Sequence, residues 1–119
     1  MKKVLFLFLL FSSGLSAQII VDDIDISQDE NLSICQVWFV PKTFSSKVTV
    51  RVDYGQEAKR PSGGSSLKEN GKKKAFNSVV AGLNYFENNG WQLIDTHVTS
   101  SGSDGSVSST TIYTFRIKR

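Results

Sequence analysis

The sequence is poor in the residues that metal sites and nucleophilic enzymes depend on. It holds one cysteine and one histidine in 119 residues. One Cys excludes an internal disulfide framework, and one His beside it excludes a Cys/His zinc cluster. Long apolar runs are also missing. The longest uninterrupted one, Val4–Phe11, has eight residues, against the ~20 needed to span a bilayer as a helix. The length excludes two-domain nucleotide enzymes and TIM barrels. What is present, 39% hydrophobic and 21% charged residues, fits a globular domain and not a disordered chain.

Residues 1–17 open with Lys2 and Lys3, continue through Val4–Phe11 and end in Ser12-Ser13-Gly14-Leu15-Ser16-Ala17. A charged start, a short apolar run and a small-residue exit form the pattern of a secretory signal peptide. Cleavage after Ala17 is expected, giving an exported chain, secreted or periplasmic, with Gln18 first and no stable membrane insertion. Losing Lys2 and Lys3 lowers the formal charge from +3 to +1. So small a net charge gives no case for nucleic acid as a partner. The distribution is uneven. Residues 18–33 carry five acids and no base, whereas residues 34–119 carry 12 Lys/Arg against 6 Asp/Glu. Residues 18–33 therefore read as an acidic N-terminal arm, solvated or lying across a basic body.

Ile34–Val40 is rich in β-branched and aromatic residues and reads as a strand ended by Pro41. Val48, Val50, Val52 and Tyr54 alternate with Lys47, Thr49, Arg51 and Asp53, so a second strand completes a hairpin. The stretch 55–74 has few apolar residues, is punctuated by Pro61 and four glycines, and reads as an exposed loop. Phe76, Val79, Val80, Leu83 and Phe86 recur at helical spacing. Asn77 or Ser78 suits the N-cap, and Asn88-Asn89-Gly90 the stop. Trp91–Val98 and Thr110–Lys118 read as two further strands joined by a Ser/Gly-rich turn. A right-handed crossover through the helix makes the second and third strands parallel. The expected fold is an α+β two-layer sandwich, β-β-α-β-β: a four-stranded, mostly antiparallel sheet in the order 1-2-4-3, with one helix on one face.

Candidate chemistry is sparse. Asp95 and His97 share a strand face, as an orienting pair for a base or as a polar surface pair. Cys35 with His97 is a dyad only on paper, and Cys35 otherwise suits a buried apolar position or an intermolecular disulfide. The acids of 18–33 lack the glycine of a calcium loop. Asn31-Leu32-Ser33 matches a glycosylation acceptor. Lys72, Lys73 and Lys74, close in sequence to Lys59, Arg60 and Lys68, are the densest charge feature. They precede the helix start, where an anion or an acidic partner would be met. Trp38 or Phe39 suits an outward anchor on the first strand. No cofactor or metal is implied, and no catalytic residue is assigned.

The stretch from Gly71 to Asp95, with its Phe76-Asn77-Ser78 helix start, Leu83-Asn84-Tyr85 helix body and Gly90-Trp91 corner, resembles a family of small secreted proteins of Bacteroidales-type bacteria. Lys47–Gln56 and Tyr113–Arg119 match it too. The resemblance implies export and a helix–Gly-Trp–strand–strand domain over residues 34–119. It implies no activity. The expected function is a non-enzymatic protein-interaction module. The alternative is a binder of a small anionic ligand or polyanion through the basic 59–74 loop.

Overall fold

The computed structural model describes residues 18–57, 63–103 and 105–119. The expected leader, residues 1–17, lies outside them, as do Lys59, Arg60 and Asp104. The hairpin read from the valine alternation is present. β3 (Ile34–Pro41) pairs antiparallel with β4 (Val48–Asp53), with Val37 opposite Val52 and Phe39 opposite Val50. The helix, α1 (Val79–Asn88), starts at Ser78, whose Oγ accepts from the Ala81 N–H at 3.1 Å. It stops at Asn89, and Gly90 follows in the left-handed conformation, at φ +89°. Phe76, expected on its first turn, precedes it as a strand residue.

The four-stranded α+β sandwich is not what the chain builds. The fold is mostly β: nine strands in one antiparallel sheet among the described residues, with the single short helix lying on it. Two long strands, β8 (Trp91–Ser103) and β9 (Ser106–Ile117), follow α1. The extra strands come from the two segments read as arm and loop. In the first, β1 (Ile20–Val21) turns back through Asp22 and Asp23, both at positive φ, into β2 (Ile24–Asp25). Two left-handed residues in a row are what a type I′ hairpin turn requires. In the second, β5 (Ser65–Glu69) turns through Asn70 and Gly71, again both left-handed, into β6 (Lys72–Lys73), and β7 (Ala75–Phe76) leads to the helix. The path is β2-β1-β5-β4-β3-β9-β8, with β6 on β5 and β7 on β4.

The expected order 1-2-4-3 fails for one reason. The crossover helix does join two strands of the same direction, but the first of them is β7, not β4. Because β7 is antiparallel to β4, β8 also runs antiparallel to β4. β9 is then free to pair with β3, placing Cys35 opposite Phe115.

One sheet face holds the core. Val37, Val50, Val52, Leu67 and Phe115 on it are buried, and α1 covers them with Phe86, whose ring stacks on Phe115 at 5.0 Å between centroids. Gly82 is where the helix crosses the sheet: a Cβ there would overlap the Phe39 ring. Residues 18–33 are not a solvated arm. Ile19, Val21 and Ile26 have no exposed surface and complete the core beside Trp91, whose Nε1 donates to Ser27 Oγ at 2.9 Å. The acids serve as turn formers. Asp25 Oδ1 accepts from the Ser27 N–H, and Asp22 Oδ2 accepts from the hydroxyls of Tyr54 (3.0 Å) and Ser65 (2.8 Å).

Candidate functional site

β3 and β9 pair from Ile34↔Arg116 to Val37↔Tyr113 and then part. Beyond that point β3 continues to Pro41 paired only with β4, and β9 is paired only with β8. The result is a fork. One prong is the β3–β4 hairpin end. The other is a ribbon of seven residue pairs, from His97↔Ile112 to Ser103↔Ser106, roughly 20 Å long at strand rise. The inner edges of both prongs, Trp38–Pro41 and Ser109–Ile112, carry no further strand among the described residues. In the crotch lies a cleft of about 270 Å³ lined by Phe39, Pro41, Val79, Ser109, Thr110, Thr111 and Tyr113. Its floor is aromatic, Phe39 meeting Tyr113 edge-on at 5.8 Å. Its far wall is hydroxyl-bearing, and among the described residues no charged side chain lines it.

The ribbon grows out of the stretch read as a Ser/Gly turn. Thr96, Thr99, Thr110 and Thr111 are β-branched and suit a pleated strand, and the register runs without a break from Asp95 to Ser103. The one irregularity is a β-bulge between Leu93 and Asp95. It reverses which face each later side chain takes. Asp95 and His97 therefore fall on the face away from the helix, with His97 Nδ1 3.6 Å from Asp95 Oδ2 and both side chains substantially exposed. The structure brings this pair together on an exposed strand face. Cys35 is on the opposite, helix-covered face, 1% exposed, its thiol pushed up to about 12 by burial and, secondarily, by Asp53. The Cys35–His97 dyad does not form.

Trp38 and Phe39 take opposite faces, as alternation requires. Phe39 lies beneath α1 at Gly82. Trp38 lies on the open face, half-buried against Gly64 and the Arg51 side chain. At Gly64, φ +71°, a Cβ would meet the indole at 2.6 Å, so glycine is what lets the ring approach the backbone there.

The three candidate lysines divide. Lys72 and Lys73 are exposed on β6, and Lys73 stands opposite Lys68. Lys74 is committed to its own fold. Its Nζ is 3.1 Å from Glu69 Oε1 and sits over the Phe76 and Tyr85 rings, at 5.4 and 5.1 Å. The helix N-terminus is likewise occupied by Ser78. Asn31 is exposed, in a turn closed by Asp29 Oδ1. Among the described residues, no three His, Cys, Asp or Glu side chains converge to hold a metal ion, and no helix is long and apolar enough to cross a membrane.

Two features escaped the sequence reading. The fork depends on strand order and has no local signature. The Asn70-Gly71 turn does have one, since Asn-Gly between strand-forming runs is a strong hairpin signal; the surrounding lysines and serines masked it. Comparison of the chain with protein-family models, curated proteins and solved structures finds no match.

Proposed function

We propose that this protein is an exported, non-enzymatic interaction module that receives an extended segment of a partner protein along the inner edge of its β8–β9 ribbon. The observation that carries the reading is the edge Ser109–Ile112, which carries no further strand among the described residues, beside the uncharged cleft at the fork. Unpaired strand edges recruit strands through main-chain hydrogen bonds, and an adjoining pocket selects a side chain. A lone two-stranded ribbon is marginal in water, so a partner strand would stabilise it. Export rests on the leader pattern of residues 1–17 and on the resemblance of Gly71–Asp95 to small secreted proteins. The absence of charge in the cleft suits an uncharged segment whose anchoring side chain is apolar.

The test uses the register. Val98 pairs with Thr111, so residues 99–110 can be replaced by Asn-Gly, closing a shorter hairpin. The shortened chain should melt within a few degrees of the parent. It should lose a protein partner that the parent captures from an envelope extract of its own host and retains at high salt, because main-chain pairing is little screened. Equal capture by the shortened chain would sink the reading.

A further inference from the structure

The β3–β4 prong carries both a wall of the cleft and a projecting ring. Phe39 and Pro41 line the cleft, and Phe44 stands in the loop just beyond Pro41. Phe44 is 104% exposed and lies at φ +58°. A left-handed residue other than glycine is uncommon, and this one holds a whole phenyl ring in water. The turn beneath it is fastened on itself. The Lys42 N–H donates to the Lys47 carbonyl at 3.0 Å, and the Lys47 N–H donates to Ser45 Oγ at 3.1 Å.

The cleft is the complement of that ring. Its volume is about 270 Å³, whereas a cavity of roughly 150 Å³ already holds a benzene ring. Phe39 and Tyr113 give it an aromatic floor, against which a further ring packs edge-on or offset. Among the described residues no charged side chain lines it, and Thr43, Phe44, Ser45 and Ser46 carry no charge either. Its rim is apolar as well. Val80 follows the cleft residue Val79 in the helix and is 63% exposed, and Val98 stands opposite the cleft residue Thr111 and is 64% exposed. Burial of these groups is what the hydrophobic effect favours.

We propose that two copies of this chain associate through the fork, with Phe44 of each entering the cleft of the other. Because ring and cleft share one prong, a twofold axis beside the hairpin serves both contacts at once, as an isologous interface requires. The proposal rests on the reading of the cleft as the pocket for a partner's anchoring side chain, and it names an anchor for that pocket, the chain's own Phe44. A second copy and a host partner then compete for one cleft. The contact is small, so the association is weak and reversible.

Sedimentation equilibrium of the chain from Gln18 to Arg119 tests it. The chain should be a monomer when dilute and a dimer near about 1 mM. Phe44→Ser removes two ring contacts from the dimer, each worth at least about tenfold, and should weaken association at least about 100-fold. The side chain is fully exposed, so the melting temperature should not fall. A second measurement uses isotope-labelled F44S, whose cleft is intact. Unlabelled parent should shift its Thr110, Thr111 and Tyr113 amide resonances, and unlabelled F44S should not. The proposal is overturned by a parent that stays monomeric at that concentration, or by an F44S chain that dimerises like the parent. Resonance shifts that are absent, or equal with either titrant, overturn it too. The partner-strand reading fails separately: a monomeric parent that captures a host protein, lost on shortening the ribbon, overturns self-association alone.

Discussion

At the scale of single residues, alternation decides most outcomes. Cys35 and Val37 point under the helix while Gln36 and Trp38 point away, so the lone thiol ends in the core whatever the compartment outside. Burial holds the thiol in its neutral form, raised from 9.0 to about 12. A folded pKa above the unfolded one stabilises the fold fully below pH 9.0 and loses that contribution as pH rises toward 12. Tyr54 acts in the same direction. Its hydroxyl, raised from 10.0 to about 12 by burial and by donation to Asp22, adds to the decline. Chemical unfolding followed from pH 8 upward should therefore show stability falling between about pH 9 and pH 12, and less steeply in Cys35→Ala. Iodoacetamide at pH 8 should leave native Cys35 unmodified and label it completely in denaturant. Labelling of the native chain would contradict the burial. Lys74 shows the limit of residue-level reading: three consecutive lysines look equivalent, yet one is engaged by Glu69 and two aromatic rings.

At the scale of elements, the informative differences lie in the turns. Asp22-Asp23 looks like a break in a strand and is instead the left-handed turn that makes two short strands of it. The physical reason is that Asp tolerates positive φ and its carboxylate satisfies nearby donors. Here Asp22 ties Tyr54 and Ser65 to the turn, fastening β1 to β5. The acidic segment is thus a core element. A chain beginning at Ser33 would lose Ile19, Val21 and Ile26, worth roughly 5–9 kcal/mol of burial at the usual value per side chain. That matches most of the stability of a small domain. The truncated chain should show no cooperative thermal transition by circular dichroism, and its Trp91 emission should shift to the red. A sharp melt near that of the longer chain would refute this account of the core.

At the scale of the whole molecule, the chain divides into a packed sheet and a projecting ribbon. Residues Tyr113–Arg116 of β9 lie between β3 and β8, whereas Ser109–Ile112 pair with β8 and with no further strand among the described residues. Local opening should follow that division. In native-state hydrogen exchange, amides of β3 and of Tyr113–Arg116 should exchange at least about 100-fold more slowly than those of the distal ribbon. Uniform protection along β9 would mean that the ribbon is not an independent unit.

The sequence by itself determined the β3–β4 hairpin, the helix and its Ser78 cap, and the glycine stop before Trp91. It also placed Asp95 and His97 on one strand face, while the β-bulge at Leu93/Asp95 chose which face. Each of these follows from periodicity, capping or adjacency within a few residues. Only the tertiary structure decided that residues 18–33 complete the core, that β9 pairs with β3, and that these two strands then part into a fork. Strand order is set by which distant edges meet. That choice depends on short strands such as β5–β7, whose few apolar residues carry little periodic signal until Leu67 and Phe76 are seen buried.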